Sequence, residues 1–268
     1  MRANLPENLL RNRKNLHHSG LPLSRALDFR PMTHKLSVII FDVDGVLVDT
    51  RGSFQRTTLE TVRLLTSKRV TRSELHRWKN RPGFNDDWKL SHAWVNQLGK
   101  DLSYEEVKRR FVEIYWGKNG SDGNVRREKW VLPLASLKRI AKLAPLALFT
   151  GRVHKELDYT LDRWKVRDYF EQIVTVEEVS KPKPDPEGLV TILDGRNPST
   201  ALYVGDNVDD ALAAKAAKVP FVGILPRRSW ERRHRGTRLK DLSALTILGE
   251  VGELEGWLRK YVSRAGRS

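Results

Sequence analysis

The sequence predicts an α/β protein built on an open parallel sheet, with a small α-helical domain inserted after the first strand. Three observations carry that expectation. Short apolar, β-branched runs recur along the chain and are cut off by acidic residues or glycine, as fully buried parallel strands are. Segments of helical period separate the later runs, and strand–helix alternation favours a parallel sheet. The alternation fails over 53–135, which is helical in period and holds no buried-strand run.

Taken in order, the first strand is LSVIIF (36–41). After it comes the insertion, with SFQRTTLETVRLLT, SELHRWKN, DWKLSHAWVNQLG and SYEEVKRRFVEIYWG as its helical pieces. The strand series resumes with PLALF (145–149), QIVTV (172–176), ALYVG (201–205), PFVGIL (220–225) and LTILG (245–249). HKELDYTLDRWKV (154–166) and DDALAAKAAK (209–218) supply crossover helices. The core therefore comprises 36–52 and 136–256, and the insertion 53–135. Open sheets of this kind bind ligands beyond the carboxyl ends of their strands, so the informative residues should follow each run directly.

The chain is 268 residues long, and 39% of them are hydrophobic, enough to bury a real core and to exclude wholesale disorder. It has no cysteine, which excludes a disulfide scaffold, a zinc–thiolate site and a thiol nucleophile. No apolar run approaches the roughly 18 residues that span a bilayer, so the reading is a soluble, cytoplasmic protein without a membrane partner. The formal charge of +16 is uneven. Residues 1–35, 225–240 and 257–268 hold nearly all of the surplus, and the rest is close to neutral. Residues 1–35 read as a basic extension without ordered structure, 225–240 as a basic loop and 257–268 as a basic tail. No RNA- or DNA-binding motif accompanies the charge, so a solvated arginine-rich periphery is favoured over a nucleic-acid site. Met32, the second of two methionines, precedes the first apolar run and suggests that translation starts there.

The strand ends carry the chemistry. Asp42 and Asp44 follow the first strand, two apart and before Gly45. Thr150-Gly151-Arg152 follows the second and opens a helix, whose N-terminus can offer amides to a phosphate. Lys181 and Lys183 lie in a proline-stiffened segment after the third. Asp206, Asp209 and Asp210 follow the fourth. Hard oxygen ligands without histidine or cysteine suit Mg2+ together with a substrate phosphate. A carboxylate can also attack phosphorus, given a metal ion and a lysine to neutralise charge.

FDVDGVLVDT, FTGR, SKPKPDP and VGDNVDD, in that order, resemble the four motifs of the haloacid dehalogenase superfamily of phosphohydrolases. The helical insertion between the first two resembles the subfamily containing phosphoglycolate phosphatase and β-phosphoglucomutase. The resemblance covers about 36–256 and implies a Rossmann-like core with a helical cap. It implies Asp42 as nucleophile and Asp44 as general acid and base, with the Asp44 main-chain carbonyl on the metal. It further implies Thr150 and the Gly151 amide on the phosphoryl oxygens, Lys181 between nucleophile and phosphate with Lys183 as the alternative, and Asp206 as a direct Mg2+ ligand. Asp210 would complete the metal site through supporting contacts, and Asp209 is ambiguous. Asp44 also argues against a dehalogenase, because a halide leaves without a proton.

Substrate choice in capped relatives is set by a loop between cap helices, which here is 80–89. Arg81, Asn85 and Lys89 are its candidate substrate-binding residues, with Arg152 from the second motif; Trp88 could instead pack into the cap. The favoured expectation is a Mg2+-dependent phosphatase for a small phosphorylated metabolite, monomeric or homodimeric. A phosphomutase and a nucleic-acid-associated phosphatase or binding protein using 225–240 are the alternatives.

Overall fold

Every one of the six apolar runs becomes a strand of a single sheet. In the computed structural model, which describes residues 35–265 apart from 82, 85, 119–121 and 228, β1 (Val38–Phe41) lies at its centre. A two-residue strand, β2 (Val48–Asp49), follows, and then the helices of the insertion: α1 (Phe54–Thr66), α2 (Arg72–Lys79), α3 (Asp87–Gln97) and α4 (Tyr104–Trp116). The chain returns through β3 (Lys129–Trp130) and α5 (Leu134–Ala141). It then alternates β4 (Leu146–Phe149), α6 (His154–Trp164), β5 (Gln172–Val174), α7 (Glu187–Leu193), β6 (Ala201–Gly205), α8 (Val208–Ala217), β7 (Phe221–Ile224), α9 (Trp230–Asp241), β8 (Thr246–Leu248) and α10 (Leu254–Ala265).

The sheet order is β5-β4-β1-β6-β7-β8, with every pairing parallel. Both faces are covered, which is why β1 and β4 could be written entirely in apolar residues. Ile39, Phe41 and Leu148 pack on one side with Leu157 and Leu258. Val38, Ile40 and Phe149 pack on the other with Leu189 and Ala214. Strand order reverses at β1, so the crevice beyond its carboxyl end is the natural ligand site.

The four inserted helices build apolar clusters of their own, around Leu75, Leu90, Trp94 and Val107 and around Phe54, Phe111 and Tyr115. Reciprocal capping starts two of them: Thr71 with Glu74, and Ser103 with Glu106. The two passages between core and insertion are stitched together by β2 and β3, which pair antiparallel at Val48–Trp130 and Asp49–Lys129.

Two expectations about the basic segments change. Much of 225–240 is helix α9 rather than a loop: Leu239 is buried, and Arg232 caps the carbonyls of Leu225, Ile247 and Leu248. Likewise, 257–265 continue α10 instead of forming a tail, since Leu258 is buried and Trp257 and Val262 pack on the same cluster. On α10 the charged residues follow the amphipathic pattern, whereas α9 turns Arg232, Arg235, Gly236 and Leu239 inward, so part of its positive charge is held inside the protein, which charge counting alone does not see. The extension 1–34, including the start suggested at Met32, lies outside the described residues, as does Asn85. Among the described residues no helix is long and apolar enough to cross a membrane.

Candidate active site

Asp42 is the first residue beyond β1 and is buried, its amide bonded to the carbonyl of Val204 on the neighbouring strand. The Lys183 ammonium lies 2.8 Å from Asp42 Oδ1 and 2.8 Å from Asp210 Oδ1, and it also meets the Tyr203 hydroxyl at 2.8 Å. That hydroxyl donates to Asp210 Oδ1 at 2.7 Å. The other oxygen of Asp210 accepts the amides of Asp206 and Asn207, so the carboxylate also caps α8.

Asp42, Asp206 and Asp210 each bring a carboxylate oxygen within 4.8 Å of the others. The turn geometry makes this approach feasible. Gly45 has φ +78°, and a Cβ there would stand 2.4 Å from Asp206 Oδ2. Burial pushes the Asp42 carboxyl well above the ordinary carboxylate range against the pull of Lys183, and Asp210, Asp44 and Asp206 push the same way. Asp206 is pushed up to about 6, chiefly by burial, with Arg235 opposing the rise. Burial disfavours the charged form of Lys183, but Asp210 and Asp42 outweigh it and hold the ammonium protonated. Three clustered carboxylates, two of them paired to one lysine, fit a hard divalent cation such as Mg2+.

The sequence-predicted residues fare differently. Thr150 is buried at the end of β4, and Gly151 is exposed beside it; both line a cavity of about 480 Å³ with Asp42, Asp44 and Asp206. Lys181 does not reach Asp42. Its side chain is exposed, its amide is bonded to Glu187, and Lys183 takes the expected place. An extended segment would put residues two apart on one side, so spacing alone could not separate the two lysines; the chain instead turns at Lys183 and Pro184. The Asp44 carboxylate stands apart from the other three acids and turns to Arg152, whose Nε and Nη2 reach its Oδ1 at 2.9 and 2.6 Å. Arg152 lines the same cavity, but its guanidinium is 1% exposed and is bonded to Asp44, Glu128 and Thr160.

The expected loop 80–89 ends at Asp86, which caps α3, so Lys89 lines the cavity from the first turn of that helix, while Arg81 lies over the Trp78 ring at 4.3 Å and is not among the lining residues. Trp88 lines the cavity too, with the Lys108 ammonium 4.3 Å from its ring. Sequence reasoning missed Lys79, which lines the same cavity and pairs with Asp87 at 3.0 Å. It also missed Arg235, 3.5 Å from Asp206 Oδ2, and the buried Glu128. None of these follows a strand or sits in a motif, so no local signal marked them.

The family model described as haloacid dehalogenase-like hydrolase matches residues 39–224. The phosphoglycolate phosphatase of Escherichia coli strain K12 is 26% identical over 206 residues, covering 69% of this chain and 80% of that protein. An imidazoleglycerol-phosphate dehydratase from Phytophthora nicotianae is 26% identical over 209 residues, 75% of this chain but only 46% of that longer protein. Among solved structures, a phosphonoacetaldehyde hydrolase-like protein from Oleispira antarctica superposes with a TM-score of 0.66 at 17% identity, covering 88% of this chain and 96% of that one. At that identity the likeness speaks for the fold alone. Sheet order, helical insertion, strand-end carboxylates and a family match over most of the chain lead to one conclusion: the protein is an enzyme of the haloacid dehalogenase-like hydrolase family.

Proposed function

We propose that this enzyme is a Mg2+-dependent phosphatase that hydrolyses a small phosphorylated metabolite through an aspartyl-phosphate on Asp42. The observation that carries the reading is the position of Asp42: its carboxylate lines the cavity, ion-paired to Lys183 and beside Asp206 and Asp210. In the first step an Asp42 oxygen attacks phosphorus, the bond to the leaving oxygen breaks, and Asp44 protonates that oxygen to release an alcohol. In the second, water attacks the aspartyl-phosphate, Asp44 takes its proton, and the bond between phosphorus and Asp42 breaks to release inorganic phosphate. Thr150 and the Gly151 amide hold the phosphoryl oxygens, and Lys183 rather than Lys181 offsets the charge between nucleophile and phosphate. Asp42, Asp206 and the Asp44 carbonyl would hold Mg2+, with Asp210 supporting from behind; the bound ion would supply Lewis-acid neutralisation of the phosphate. Lys89 and Lys79 offer cations to the rest of the substrate.

The test is hydrolysis of a phosphometabolite panel and of 4-nitrophenyl phosphate with Mg2+ or EDTA, alongside Asp42→Asn. Loss of turnover in a folded Asp42→Asn protein is expected. Substantial turnover in that variant overturns the nucleophile assignment.

A further inference from the structure

Arg152 stands 108 residues from Asp44 in sequence, yet its buried guanidinium binds that carboxylate directly. Its guanidinium binds Asp44 Oδ1 through Nε and Nη2, Glu128 Oε1 through Nη2 at 2.9 Å, and Glu128 Oε2 through Nη1 at 3.2 Å. Nη1 also reaches the Thr160 hydroxyl at 2.5 Å, and that hydroxyl donates to Glu128 Oε2 at 3.0 Å. Glu128 is 2% exposed and sits where the chain returns from the cap, immediately before β3. Its Oε1 accepts the hydroxyl of Tyr115, a buried residue of cap helix α4, at 2.9 Å. One continuous chain of hydrogen bonds thus runs from the cap through Glu128 and Arg152 to Asp44.

We propose that Arg152 is a positioning residue for Asp44, anchored by Glu128 and tied to the cap by Tyr115. A buried arginine–glutamate pair could serve packing alone, and such pairs often add little stability. Here, however, two of the guanidinium N–H groups are spent on a carboxylate that is 36% exposed and lines the cavity. Both bonds fall on Oδ1, which anchors that oxygen and leaves Oδ2 as the oxygen that exchanges a proton with the substrate. The rigid planar fork of arginine suits this task, because its N–H groups leave in fixed directions, which the rotating ammonium of a lysine does not impose. Holding a proton donor within a fraction of an ångström of its acceptor is worth a large share of the benefit of general-acid catalysis.

This inference rests on the reading of Asp44 as the general acid, and leaving-group dependence separates the two. Phenyl phosphate needs protonation of its departing oxygen, whereas 4-nitrophenyl phosphate departs largely without it. The measurement is kcat/KM for both esters with the full chain and saturating Mg2+, for wild type, Asp44→Asn, Arg152→Lys and Tyr115→Phe, with thermal melts of each. Arg152→Lys should lower phenyl phosphate turnover roughly ten- to a hundredfold more than 4-nitrophenyl phosphate turnover, a part of the ~10²–10⁴ that a general acid contributes. Tyr115→Phe, which removes one hydroxyl and keeps the ring, should shift the ratio the same way by a few-fold. Equal losses on both esters in folded Arg152→Lys overturn the proposal; should that variant not fold, an unchanged ratio in Tyr115→Phe does so. An unchanged ratio in Asp44→Asn instead overturns the general-acid reading beneath it.

Discussion

Lys183 and Asp42, 141 residues apart, meet at 2.8 Å, and the same ammonium ties Asp42 to Asp210. Because the lysine is almost wholly buried between two carboxylates, its removal leaves uncompensated negative charge in a low-dielectric site. Lys183→Ala should cut turnover by at least about a thousandfold, in line with loss of a main electrostatic group at a reaction centre. Lys181→Ala should remain within a few-fold of wild type. Steady-state kinetics on 4-nitrophenyl phosphate compares them, and the reverse ranking would restore Lys181 to the site.

Gly45→Ala should damage both stability and activity. The residue holds φ +78°, and the added methyl would stand 2.4 Å from Asp206 Oδ2. Left-handed backbone costs a non-glycine residue about 1–2 kcal/mol before the clash is counted. Urea unfolding should show a loss of at least that size; a wild-type midpoint would mean that the turn relaxes freely.

Arg235 places a guanidinium 3.5 Å from Asp206 Oδ2, where it competes for the charge that a divalent ion would use. Arg235→Gln should therefore bind Mg2+ several-fold more tightly, in keeping with roughly 1 kcal/mol of partly screened repulsion. The Mg2+ concentration dependence of the melting temperature reads this without reference to turnover. Weaker binding in the variant would show that the arginine chiefly orients Asp206.

Glu156 is buried in α6, and that burial, reinforced by Asp44 and Glu128 and opposed by Arg152, pushes its carboxyl up to about 8. Its folded pKa is thus raised above the unfolded value. The stability this group contributes is fully present below about 4.5 and is lost as pH rises towards about 8. Glu156→Gln should remove that slope, which is at most about 1.4 kcal/mol per pH unit. Urea midpoints between pH 5 and 8 compare the two proteins, and parallel curves would rule out a neutral buried Glu156.

The core of this enzyme was legible because burial on both sheet faces forces near-continuous apolar runs, and a chain must leave each run at the ligand-binding edge. Asp42, Thr150 and Asp206 follow from that rule directly. The insertion was legible as a break in the alternation. What the linear chain determines, then, is the class of fold and which strand ends carry acids, a hydroxyl and a cation. Tertiary structure alone decides among chemically equivalent neighbours and distant partners. It sets Lys183 rather than Lys181 against Asp42, bonds Arg152 to Asp44, brings Arg235 of a basic helix against Asp206, and puts Lys79 in the cavity wall. The physical reason is that local periodicity reports whether a residue faces apolar surroundings, whereas ion pairing depends on where two remote backbones place their side chains in three dimensions.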